Sequence, residues 1–224
     1  MNQDTAAKAA ALPSDSSDWL DRAVLYELLS MGLLLPTNQL AEVLSNGDYA
    51  SALKASLEVT GLEPFDEATF DAYRSADAEE VFHRVRREYT RLFATPKNVL
   101  VSPYAGVWHA EKVGVQPVLF VNKESMGVER FMKSCGLEAR EGKNEPFDHI
   151  GTEFEFLNYL CLRRSGFMAA SENGDVPENA YEVFYEQHIV PWVGDFAKAL
   201  AEHAEEPLYR VLAGILRALP EKAL

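Results

Sequence analysis

Leu20, Val24, Leu28, Met31 and Leu35 recur every three or four residues until Pro36 interrupts them. That spacing places them on one stripe of a helix and ends the helix at the proline. The same period returns along most of the chain. Short helices are expected at 38–45 and 48–60, with Gly47 and Gly61 just past the ends of these two segments. Asp77 and Glu80 open AEEVFHRVRREYTRLF in the manner of a capping box, and Phe82, Val85, Tyr89 and Leu92 line one face of it. Helical spacing resumes in MGVERFMKSCG, and the longest helices are expected at 147–170, 178–203 and 207–219.

Strand signals are confined to PVLFV at 117–121, and one apolar run makes no sheet. Pro96, Pro103 and Pro117 punctuate its surroundings, so a loop-rich stretch is expected near 94–122. The expected fold is therefore all-α, a single bundle of roughly eight to ten helices without internal repeats. It spans 16–224, follows a disordered tail at 1–15, and carries a hinge at the polar LEAREGKNEP near 138–146. A monomer is the default, and such a hinge also permits a domain-swapped dimer.

Charge narrows the partners. The chain has 21 Lys and Arg against 35 Asp and Glu, a net charge of −14. Nucleic acids and anionic membranes are excluded, because both require a basic footprint. Between Arg164 and Lys198 no Lys or Arg occurs, while Glu172, Asp175, Glu178, Glu182, Glu186 and Asp195 accumulate. Such a field either solvates a helical face or steers a cationic ligand. MNQDTAAKAAALPSDSSDW lacks the basic start and apolar middle of a secretory signal, and no apolar run is long enough to cross a bilayer. A cytoplasmic chain without stable membrane insertion is expected. Cys135 and Cys161 lie in apolar helical patterns without CxxC spacing, which marks buried free thiols.

The segment NEPFDHIGTEFEFLNYL concentrates ionisable groups at the start of an apolar helix. If the helix begins near Pro146, Glu145 and Asp148 lie where carboxylates accept free N–H groups and meet the positive helix end. His149 and Glu153 are one turn apart on the face that Phe156 and Leu160 continue. Capping and reception of a cation are both open to this group. Catalysis is disfavoured: no Ser or Cys adjoins it, and His83, His109, His188 and His203 show no HxxxH, HExxH or ExxH spacing. Isolated glycines likewise form no phosphate loop.

YTRLF (89–93) and EPFDHIGTEFEF (145–156) together resemble the signatures of the TorD/DmsD/NarJ chaperones of redox enzyme maturation. PYAGVW (103–108), FMKSCGL (131–137) and FYEQHIVPWVGDF (184–196) are similar to further segments of that family, in its order and spacing. The resemblance implies a cytoplasmic chaperone, not an enzyme. Its partner would be the precursor of a molybdopterin oxidoreductase, gripped by the basic twin-arginine signal peptide until cofactor insertion is complete. By the same resemblance Asp148, His149, Glu145 and Glu153 face the basic end of that peptide, and Tyr89, Leu92, Phe93, Pro103, Tyr104 and Trp108 form an apolar wall. Pro146 sets the hinge angle, His188 joins the peptide site, and Trp192 after Pro191 packs as an anchor at a kink. The chaperone needs no cofactor of its own. Rival implications are assembly of a cytoplasm-facing molybdoenzyme without export, and weak contact with GTP or molybdopterin guanine dinucleotide.

Overall fold

A computed structural model describes residues 14–95, 99–117, 122–137, 146–168 and 176–221. Most of PVLFV, the hinge at 138–145 with Glu145, residues 1–13 of the tail, and Glu172 and Asp175 lie outside the described residues. Among the described residues there are eleven α-helices and no strand. They are α1 (Ser14–Leu33), α2 (Asn38–Ser45), α3 (Asp48–Val59), α4 (Asp71–Arg74), α5 (Ala78–Phe93), α6 (Ala105–Val113), α7 (Lys123–Ser134), α8 (Ile150–Arg164), α9 (Ala180–Phe184), α10 (Val193–His203) and α11 (Pro207–Ala218).

Local chemistry accounts for several boundaries. Thr37 accepts a hydrogen bond from Leu40 N at 3.2 Å and starts α2. Asp77 accepts from Glu80 N at 2.8 Å and starts α5. Pro207 occupies the first turn of α11, where a missing N–H costs nothing. Cys135 and Cys161 are buried free thiols, in line with their apolar settings.

Four expectations need correction. The longest helix is α1, at 20 residues, rather than one of the C-terminal segments. The stretch 94–122 contains α6, a helix whose start depends on a distant residue described below. The helix expected over 147–170 contracts to α8. The one expected over 178–203 divides into α9, a π-helical turn at Tyr185–Ile189, and α10, because Pro191 cannot supply the N–H that would continue the ladder.

The stripe read on α1 also sits differently from expectation. Val24 is 43% exposed and Leu35 49% exposed. Burial falls instead on a broad face containing Trp19, Ala23, Tyr26, Leu29 and Leu33, because α1 packs against α3, α8 and α11 at once. Its main partner is α8, and the two run antiparallel. Arg164 lies over the Trp19 ring at 4.2 Å, Asn158 Nδ2 donates to Ala23 O at 2.8 Å, and Gly151 meets Leu34. Tyr26 stacks on Phe154 and shares a 2.7 Å hydroxyl contact with Tyr181, which ties α9 into this layer.

Glu88 fastens α5 to the α10–α11 turn. Its carboxylate is buried, accepts from Arg91 Nε at 2.7 Å, and accepts from Glu205 N at 2.6 Å. One face of α11 is less tightly used. A Cβ added at Gly214 would meet no atom within 4 Å, so nothing in the packing requires glycine in mid-helix. Gly214→Ala should therefore stabilise the protein by about 0.5–1 kcal/mol, as measured by chemical denaturation.

Candidate functional site

Tyr104 precedes α6 but offers it no side-chain cap. The missing acceptor comes from another part of the chain: Asp148 Oδ2 accepts from Gly106 N at 2.9 Å. Backbone pairing holds the two segments together, with Ala105 N donating to Asp148 O at 3.0 Å and Ile150 N to Pro103 O at 2.8 Å. This makes Tyr104 and His149 an isolated antiparallel bridge.

A third segment joins them. Asn122 Nδ2 donates to the same Asp148 oxygen at 3.2 Å, and Asn122 Oδ1 accepts from Ser125 N at 2.7 Å to cap α7. Ser125 Oγ in turn accepts from Phe147 N at 2.9 Å. A Cβ at Gly106 would lie 2.7 Å from the Asn122 carboxamide, so only glycine admits this approach. The starts of α6, α7 and α8 thus converge on Phe147, Asp148 and His149. A carboxylate placed among helix N-termini is electrostatically favoured.

His149, not Asp148 or Pro146, caps α8. Its Nδ1 accepts from Gly151 N at 3.1 Å, which requires the tautomer with hydrogen on Nε2. That Nε2 faces Tyr89 Oη at 3.4 Å, and the imidazole packs edge-on against Tyr104 with centroids 5.3 Å apart. Burial lowers its pKa to about 4, so it is neutral at physiological pH. Burial raises the pKa of Asp148 against the opposing pull of the Gly106 and Asn122 bonds.

Glu153 lies one turn further along α8 and is fully buried. Neither of its oxygens has a hydrogen-bond partner among the described residues. Burial, with Asp148 and then Glu124 adding to it, holds its pKa well above the usual carboxyl value. Trp192 lies close enough to oppose that shift, but its indole N–H goes to His188 O at 2.6 Å. His188 packs against Phe184 at 4.8 Å and Phe131 at 6.0 Å. Its pKa is lowered by burial, pulled up by Glu124 and pushed down by His109. His109 Nδ1 lies 3.1 Å from Glu124 Oε1.

The structure thus brings Tyr89, Pro103, Tyr104, Pro146, Asp148 and His149 into one junction, with Glu153, His188 and Trp192 beside it. Leu92 and Phe93 stand behind it in the core, where Phe93 stacks on Phe196 and meets Tyr209 edge-on. Trp108 is half-buried and donates to Ser102 O at 2.8 Å. Asp148 is 0% exposed, His149 4% and Glu153 0%, so these groups present no charge at the surface here. Among the described residues Asp148 and His149 are engaged by backbone N–H groups, the Asn122 carboxamide and aromatic rings, and the Glu153 oxygens by no hydrogen-bond donor. Asn122, Ser125 and Gly106 escaped the sequence reading. An Asn just before KESMG was the available signal, since it reads as an N-cap.

Chemically, the junction ties three helix starts together. No cluster of His, Cys, Asp or Glu among the described residues is arranged to hold a metal ion.

A family model described as the nitrate reductase delta subunit matches residues 54–198, from within α3 to α10. The chain belongs to that family. The delta-family match includes every segment of the junction. Curated relatives include the chlorate reductase assembly chaperone of Ideonella dechloratans, 29% identical over 92 residues, covering 41% of this chain and 47% of that one. The chaperone protein TorD of Vibrio parahaemolyticus is 24% identical over 164 residues, covering 72% and 73% of the two chains. The chain spans about half the length of the first relative and nearly three quarters of the second. These relatives are named as chaperones, not as enzymes. A crystal structure of a candidate redox enzyme maturation protein from Archaeoglobus fulgidus shares the delta-family fold at a TM-score of 0.51 and 23% identity, covering 90% of this chain and 94% of that one. No helix among the described residues is long and apolar enough to cross a membrane.

Proposed function

We propose that this protein is a cytoplasmic assembly chaperone for a molybdenum oxidoreductase. It binds the basic twin-arginine leader of the precursor and delays export until the molybdopterin cofactor is in place. The observation that carries this reading is the family match, which covers the junction built from YTRLF, PYAGVW and EPFDHIG. The named roles of the relatives in chlorate and selenate reductase assembly support a molybdoenzyme client. A net charge of −14 suits a receptor for a basic peptide.

Within this proposal the junction residues act by position. Asp148 and His149 hold three helix starts in register, while Tyr104, Trp108, Asn122, Phe147 and His188 keep partial access to solvent. A second reading is favoured by the family's description as a nitrate reductase subunit: the client would be a cytoplasm-facing enzyme with a remnant leader, and no export would follow.

Titration of the purified protein with a synthetic twin-arginine leader tests the proposal, with a twin-lysine peptide as control. Arginine presents a planar bidentate fork that lysine lacks, so the arginine peptide should bind about tenfold more tightly, equivalent to about 1.4 kcal/mol. Equal affinities would remove the arginine-specific part. Absence of binding by either peptide would overturn the proposal. Capture of the client from the native host then separates the readings by the presence or absence of an intact leader on it.

A further inference from the structure

Glu27 and Glu155 both line a groove of about 520 Å³ along α1 and α8, with Met31, Leu34, Leu35 and Leu162 forming its apolar lining. No Lys or Arg lines it. Both carboxylates are exposed, and neither forms an ion pair among the described residues. Some surface acids, among them Glu67, Glu129, Glu182 and Asp195, hold a Lys or Arg, and these two do not. The last turn of α1, which ends here, carries no basic residue of its own, and Arg86 donates to Pro36 O at 3.2 Å just beyond it. The charged side chains lining the groove are therefore all negative, above an apolar floor. It is also where the helical stripe of α1 runs uncovered, through Met31 to Leu35.

We propose that this groove seats the leader peptide, with its arginines over Glu27 and Glu155 and its apolar residues on Met31, Leu34, Leu35 and Leu162. This inference rests on the chaperone reading above and adds the location, which differs from the buried Asp148–Glu153 cluster. Charge decides between this groove and the larger one, of about 930 Å³, between Phe65 and α11. Arg210 and Arg217 line that second groove against one carboxylate, Glu63, so its lining is net positive and disfavours a basic segment. A third depression beside Trp108 has mixed charge, and its Lys112 is already paired with Asp195.

The location also connects the groove to the junction. A Cβ at Gly151 would lie 2.7 Å from Leu34 Cγ and 3.2 Å from Leu34 N, so the first turn of α8 rests directly on the groove wall. His149 caps that same turn through Gly151 N. On this account His149 and Asp148 are positioning residues, which set the angle of α8 against α1 without touching the peptide.

The test measures leader affinity by fluorescence anisotropy on the full chain, first unaltered and then carrying Glu27→Lys with Glu155→Lys. Reversal of both charges should weaken binding at least tenfold and flatten its salt dependence. Arg210→Glu with Arg217→Glu, in the other groove, should leave affinity within twofold. Leu35→Glu provides an independent arm, since it adds negative charge while removing apolar surface. It should weaken binding severalfold if the peptide packs there, and tighten it if charge alone acts at a distance, which would overturn the seat. All these side chains are exposed, and matching circular dichroism spectra and melting temperatures confirm that the variants are folded. Unchanged binding by the Glu27/Glu155 pair would overturn the groove and leave the chaperone reading standing. A parent protein that binds no leader would overturn both.

Discussion

Trp192→Ala should lower the free energy of unfolding by about 3–5 kcal/mol, measured by urea denaturation, because it empties the largest fully buried side chain in the core. The indole sits where the π-helical turn gives way to α10, just after Pro191. It meets Phe196 edge-on at 5.6 Å, and Phe196 in turn contacts Trp108 and Phe93. Its N–H also satisfies His188 O. Trp192→Phe should cost less, since most of the volume remains; the lost hydrogen bond alone accounts for about 1 kcal/mol. Against a typical total of about 5–15 kcal/mol, the alanine variant would be markedly unstable. A cost below about 1 kcal/mol for alanine would show that the surroundings collapse onto the gap and that Trp192 is no anchor.

Glu153→Met should have the opposite sign, a gain of about 1–3 kcal/mol at neutral pH, because it replaces a buried carboxyl lacking partners with an apolar chain of similar length. The sign of its pH dependence follows from linkage. In the unfolded chain Glu153 ionises near the ordinary glutamate value of 4.5, whereas burial and the neighbouring Asp148 keep it protonated to higher pH when folded. Folding therefore takes up a proton above that value, and the penalty grows as pH rises toward the elevated folded pKa. The advantage of the Met variant should be small in acid and increase toward neutrality. His149 acts in the other direction. Its folded pKa of about 4 lies below the ordinary imidazole value of 6.5, so stability declines as pH falls through that interval. Because both proteins share that term, it cancels in their difference. Equal stability across the pH range would mean that Glu153 has found a partner and carries no desolvation penalty.

A residue this costly to bury, at the centre of a family signature, illustrates what could and could not be read from the chain. The start of α5 was legible because its cap, Asp77, lies within three residues of the N–H it satisfies, and α2 and α3 because Gly47 and Gly61 follow them closely. The resemblance was legible because its segments are short and ordered along the chain. Helix α6 was not, since its acceptor lies 42 residues downstream and Pro103 with Tyr104 reads locally as loop. The burial of Asp148, His149 and Glu153 was hidden for a related reason. A cluster of ionisable residues looks solvated until the backbone donors and rings that enclose it are known. The face of α1 was misjudged because three helices pack on it, and a single stripe of spacing assumes one partner. Pro191 marked an interruption, but only the fold reveals that the interruption is absorbed by a π-helical turn with Trp192 wedged behind it.

The meeting of three helix starts at residues 147–149 has a consequence for the order in which the chain acquires its shape. On the ribosome, α6 and the Asn122 turn emerge first, and Gly106 N has nothing to bind until Asp148 has been added. The N-terminal helices can pair among themselves before that moment. Residues 147–149 then lock the ends of segments made well before them, and α8, the main partner of α1, follows directly behind.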